Sequence, residues 1–182
     1  MTLNGESFVW SRSIPHSPDA ALPSAHRHLP ASLLEVLPDG YTIETSPDAE
    51  NWWREAGQFL THGKLLAIDY GFTEAEMISP ARTNGTLRAY AQHRISDNLL
   101  ANPGEQDLTA HVNFTAIQKT GEEAGLKTET FCTQPQFLTR ILGVAVKENI
   151  FTTLDAKQVR QFQTLTHPDH LGRAFRVLVQ SR

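Results

Sequence analysis

The run Lys64-Leu-Leu-Ala-Ile-Asp-Tyr-Gly71 constrains the fold more than any other stretch of this chain. Four consecutive apolar residues, Leu65 to Ile68, show no polar alternation, which is the pattern of a central parallel strand buried on both faces. A helix is expected before it. Ser46 can cap that helix, Pro47 suits the first helical position, and Asp48 and Glu50 favour the positive end of its dipole. Trp53, Ala56 and Leu60 recur at helical spacing, Trp52 and Phe59 widen the stripe, and Gly63 closes it.

The same alternation continues downstream. "GTLRAY" reads as a short strand, and Asn113 can cap a helix carrying Phe114, Ile117, Gly121 and Ala124 and ending at Gly125. "LKTETFCT" is the next strand. Thr133 and Gln136 form a capping box for a helix presenting Phe137, Leu138, Ile141, Leu142 and Ala145. A further helix over 155–166 buries Val159, Phe162 and Leu165, and "FRVLVQ" closes the chain as a strand. The order helix, strand, helix, strand, two helices, strand argues an α/β fold with a largely parallel sheet. Residues 1–40 differ: "SIPHSPDAALPSAHRHLP" carries four prolines and reads as an irregular excursion, with the α/β part over 41–182. The turn at Pro38-Asp39-Gly40 leads into a short alternating piece that could be a strand.

Composition narrows the classes of function. A net charge of −4 with no basic run lacks what sequence-independent nucleic-acid binding needs. The single cysteine, Cys132, excludes an internal disulfide and a cysteine zinc cluster. The start "MTLNGESFVW" has no signal-peptide pattern, and no run approaches the ~20 apolar residues of a membrane span. A cytoplasmic protein without membrane contact is expected. The histidine groups at 26–28 and in "HPDH" at 167–170 lack the three or four placed ligands that zinc requires, so no metal is expected. There is no G-x-S-x-G elbow, and none of the eleven glycines is separated from another by a single residue, so no G-x-G loop exists.

Candidate chemistry gathers after the apolar strand. In open α/β sheets, ligands bind beyond the carboxyl ends of strands, and Asp69, Tyr70 and Gly71 occupy that end. Asp69 can accept a hydrogen bond or a proton there, or close a local turn with Gly71. Arg88 and Tyr90 share one side of an alternating strand with Thr86. The Arg88 fork suits an anionic group, or an internal ion pair with Asp97 or Asp107. His93 and His111 suit acid–base work or a structural hydrogen bond. Asp107, Thr109 and His111 fall on one side of an extended piece.

The words "GKLLAIDYGFTEAE", "PARTNGTLRAYAQHRISDNLLANPGEQDLTAHVNFTAIQKTGEEAGL" and "TQPQFL" closely resemble the MidA-type (DUF185) family of S-adenosylmethionine-dependent methyltransferases. That family includes the mitochondrial protein-arginine methyltransferase that assists assembly of respiratory complex I. "LTHPDHLGRAFRVL" is similar to the family's final segment, with Leu171-Gly172 where Met-Gly is common, and "VWSRSI" at 9–14 matches more loosely.

The resemblance implies the carboxyl-terminal half of a class I, Rossmann-like methyltransferase sheet with helical insertions. "KLLAIDYG" would be the fifth strand, "LKTETFCT" the sixth and "FRVLVQ" the antiparallel seventh. The family's glycine-rich loop, its ribose-binding acidic residue and its "NE…DALP" motif are not matched, so no cofactor-binding residue is assigned in this chain. S-adenosylmethionine is expected to bind the complete enzyme and to bind this chain alone poorly. Asp69, Tyr70, Arg88, Tyr90, Asp107 and His111 are expected to line the side facing a protein substrate. Without its fourth-strand neighbour, one edge of "KLLAIDYG" would be unpaired, so a homodimer or pairing with a missing amino-terminal half is expected. The competing reading is a non-catalytic binding or assembly module, or an inactive fragment, lacking the cofactor site.

Overall fold

Pro47 and the acidic residues behind it open a helix as expected, because proline sacrifices no intrahelical bond in the first turn. In the computed structural model, which describes residues 2–4, 7–10, 31–92, 94–96, 98–150 and 153–182, the elements run as follows. Strands β1 (Thr2–Asn4) and β2 (Ser7–Val9) form a hairpin, and helices α1 (Ala31–Val36) and α2 (Pro47–Phe59) follow. Next come β3 (Lys64–Phe72), α3 (Glu74–Met77), β4 (Arg88–Ala91), β5 (Arg94–Ser96), β6 (Asp107–Thr109) and β7 (Val112–Asn113). The chain ends with α4 (Phe114–Glu123), β8 (Lys127–Thr133), α5 (Gln134–Lys147), α6 (Ala156–Thr166) and β9 (Phe175–Ser181). His26, His28, His93 and Asp97 lie outside the described residues. No described helix is long and apolar enough to cross a membrane.

Two compact units result. One comprises residues 1–47 and 77–111, the other 48–76 and 112–182. The hairpin and α1 stand in the stretch read as irregular, and the alternating piece at 41–46 forms no strand. Its backbone bonds include Tyr41 N–H to Pro38 O and Thr42 N–H to Thr83 O, and side chains of the segment add further bonds.

The second unit carries a four-stranded sheet in the order β7-β3-β9-β8. Strand β9 lies antiparallel between β3 and β8, with Lys64 opposite Ser181 and Tyr70 opposite Phe175. A largely parallel sheet is therefore corrected to a mixed α/β sheet. Alternation of helices and strands reports crossovers, and cannot reveal a last strand inserted against the others. The placement matches the fifth, seventh and sixth strands that the resemblance implied.

Burial on both faces of β3 is also corrected. Leu65 and Ala67 pack against Trp53 of α2, Phe114 and Ile117 of α4 and Leu178 of β9. On the opposite face Leu66, Ile68 and Tyr70 are 52%, 42% and 42% exposed. Helix α5 packs on β8 and β9, and their Val177 is fully buried. Over Lys64–Tyr70, β3 has β9 as its one sheet neighbour among the described residues; β7 joins only at Gly71 and Phe72.

Two of the caps read from sequence, at Asn113 and Thr133, are present, and the structure adds one at Asp155. Asn113 Oδ1 accepts from Ala116 N–H, and Thr133 and Gln136 form the capping box of α5. Asp155 caps α6 through Lys157 and Gln158 N–H. In α6, Phe162 is half-buried, whereas Val159 and Leu165, expected inside, are exposed.

Candidate functional site

The first unit holds a three-stranded antiparallel sheet, β5-β4-β6. Its register sets Tyr90 opposite Asp107 and Arg88 opposite Thr109. Directly opposed residues of an antiparallel pair share a face. Two pairs read separately from sequence thus meet, and Arg88, Tyr90, Asp107 and Thr109 form one exposed face. Ile95, opposite Tyr90 on the other side, joins it and is exposed. The alternate residue of β4, Ala89, is fully buried. A hollow of about 410 Å³ is lined by Tyr90, Gln92, Asp107 and Thr109. Gln92, which also lines the hollow, has φ 50° at the turn out of β4, an uncommon left-handed backbone.

Arg88 does not pair with Asp107 among the described residues. Its guanidinium donates to Leu87 O at 2.7 Å and Gly85 O at 3.4 Å. Both carbonyls belong to the strand's own start.

That strand start is built by Glu44, a residue sequence reading missed. Its carboxylate accepts from Thr86 N–H at 2.8 and 2.9 Å, Leu87 N–H at 2.6 Å and Thr86 Oγ1 at 2.5 Å. Thr86 Oγ1 accepts in turn from His111 N–H at 2.9 Å. Thr86 is therefore buried and structural, and does not join the exposed face of Arg88 and Tyr90. Gly85 has φ +70°, and a Cβ there would stand 2.7 Å from Glu44 Oε1. The "NG" turn before "TLRAY" was a signal that some acceptor must satisfy its amides.

Asp69 and Tyr70 belong to the second unit. Asp69 Oδ1 accepts from Tyr70 N–H at 2.7 Å, a local bond of the kind its alternative reading allowed. Tyr70 lies against Phe175, with ring centroids 4.1 Å apart. Opposite Asp69 stands Arg176, which donates to Glu76 Oε1 at 2.9 Å. Partial burial works against the Glu76 charge, but the Thr73 amide bond and Arg176 outweigh it and hold this carboxyl below its ordinary value of 4.5. Four of the six expected residues thus stand in one unit and two in the other.

Other candidates recede. Burial pushes the Cys132 thiol up, against a smaller opposing pull from Arg140, which disfavours the reactive thiolate. Among the described residues no group of three or more His, Cys, Asp or Glu side chains could hold a metal ion. In "HPDH", His167 Nδ1 accepts from Asp169 N–H at 3.2 Å, so the turn closes on itself.

Gly71 lies near the end of β3. A Cβ there would meet Phe114 Cε2 at 2.6 Å and collide with Val112 O. The glycine makes room for β7 and α4 of its own chain.

Residues 2–132 match the family model described as "Putative S-adenosyl-L-methionine-dependent methyltransferase". The chain belongs to this methyltransferase family. Among known relatives, "Protein arginine methyltransferase NDUFAF7, mitochondrial" of Homo sapiens is 29% identical over 140 residues, covering 73% of this chain and 30% of that protein. The corresponding "NDUFAF7 homolog, mitochondrial" of Drosophila melanogaster is 32% identical over 124 residues, covering 64% and 26%. A crystal structure of a COG1565 superfamily member from Burkholderia thailandensis, bound to S-adenosyl-homocysteine, superposes with a TM-score of 0.69 at 30% identity. It covers 84% of this chain and 41% of that one. The match therefore spans less than a third of the curated relatives' length.

Proposed function

We propose that this family member takes part in methyl transfer from S-adenosylmethionine to a guanidinium nitrogen of a protein arginine, with the first unit's exposed sheet face toward the substrate. The observation that carries the reading is the β4–β6 register, which collects a tyrosine, a carboxylate and a hydroxyl on one accessible face. The arginine-methyltransferase names of the relatives support the acceptor. The family resemblance extends the role to assembly of a respiratory complex. The donor supplies an electrophilic methyl group when bound. The part left to this chain is to hold and orient the acceptor, since transfer to nitrogen needs positioning and removal of one proton.

The test is transfer of labelled methyl from S-adenosylmethionine into arginine-containing protein, followed by amino-acid analysis for methylarginine. Methylarginine formation supports the reading. A second reading, a binding module without catalysis, is favoured by the lack of any G-x-G loop in the sequence. Calorimetric titration with S-adenosylmethionine separates the two: binding supports the enzyme, and no binding supports the module.

A further inference from the structure

We infer that the hollow of Tyr90, Gln92, Asp107 and Thr109 is a binding site for the guanidinium of a substrate polypeptide, with Asp107 as its counter-ion and Tyr90 as its platform. The inference rests on the arginine reading above and assigns the residues that hold the arginine.

Four observations carry it. The hollow measures about 410 Å³, inside the ~300–1,000 Å³ range of ligand sites. Its lining converges a phenol, an amide, a carboxylate and a hydroxyl, which together offer acceptors to a planar group rich in donors. Among the described residues, no hydrogen bond or ion pair occupies the Asp107 carboxylate, although Arg88 stands on the same face. The Arg88 guanidinium is tied to Leu87 O and Gly85 O instead, which leaves the one carboxylate of the hollow available to an incoming cation.

The chemistry selects the ligand. A carboxylate accepts two parallel bonds from a guanidinium, and a tyrosine ring attracts a cation over its face. Tyr90 and Asp107 are paired directly across the ladder, so ring and carboxylate stand side by side. Ile95, opposite Tyr90 on its other flank, is 63% exposed and offers apolar surface to an arginine's methylene stem. An ammonium would satisfy the charge but not the two-bond geometry. A neutral ureido group would keep the shape and lose the charge.

The test is a fluorescence-polarisation titration of the full chain with a short labelled arginine peptide and its lysine and citrulline counterparts. The arginine peptide should bind best, and Asp107→Asn should weaken it by roughly 10-fold or more. Tyr90→Ala should weaken it more than Tyr90→Phe, because the ring face and not the hydroxyl is the platform. Amide shifts of Tyr90 and Asp107 in nuclear magnetic resonance should follow the same titration, which guards against variants that simply misfold. Equal binding of arginine and citrulline peptides, or unchanged affinity in Asp107→Asn, would overturn the site. The two proposals fail separately. Asp107-dependent binding without methyl transfer leaves the site standing, whereas methylarginine formation with an unaltered KM in Asp107→Asn removes the site and keeps the enzyme.

Discussion

Trp53 Nε1 donates to Gln180 Oε1 at 2.7 Å, joining α2 to β9 across 127 residues of sequence. Gln180 is fully buried, and its Nε2 donates to Gln118 O at 2.9 Å and Thr128 Oγ1 at 2.8 Å. One amide thus ties two helices and two strands, all within the second unit. Gln180→Leu keeps the volume and strands a buried indole N–H, so stability should fall by about 2–4 kcal/mol. Urea unfolding followed by tryptophan fluorescence measures it.

Gly121 stands under the same amide. A Cβ there would lie 2.8 Å from Trp53 Nε1 and collide with Gln180 Oε1. Gly121→Ala should therefore cost more than the gain of about 1 kcal/mol that alanine brings to an ordinary helix position. A lowered thermal midpoint checks this; a raised one would contradict it.

Glu44 predicts a local effect. Its carboxylate satisfies the Thr86 and Leu87 amides ahead of β4, so Glu44→Ala should loosen residues 85–91. Amide hydrogen exchange at Thr86 and Leu87 should accelerate by at least 10-fold, while exchange in β9 stays unchanged.

Acid should weaken the second unit through Glu76. Its carboxyl titrates lower in the folded state, through the Thr73 amide and Arg176 bonds that overcome partial burial. The unfolded chain therefore takes up the proton first. The stabilisation is fully present above about 4.5 and is lost as pH falls from there through the lowered folded value. Glu76→Gln should flatten the stability profile in that window and change little at neutral pH, where a half-exposed pair contributes at most ~1 kcal/mol. Thermal midpoints across acid pH read this out.

Local signals in the sequence carried far. The caps at Asn113 and Thr133 lie within a few residues of what they satisfy, so spacing reveals them. The strand Lys64–Phe72 was legible from its apolar run, but its exposed face was not. Covering Leu66 and Ile68 depends on which helices land there, and α5 lands on β8 and β9. The candidate site was half-legible for the same reason. Alternation placed Arg88 with Tyr90 and Asp107 with Thr109, and only the β4–β6 register joined the pairs. Glu44 was missed because its partners lie 42 and 43 residues away.

The proposed methyl transfer to protein arginine starts from the chain's membership of this family. It is tested most directly by incubating the protein with methyl-labelled S-adenosylmethionine and an arginine-containing polypeptide, then hydrolysing the product and separating its amino acids. Label is expected in methylarginine, reduced roughly 10-fold or more by Asp107→Asn at limiting substrate. Label confined to another residue type, or no transfer where S-adenosylmethionine is shown to bind, would contradict it.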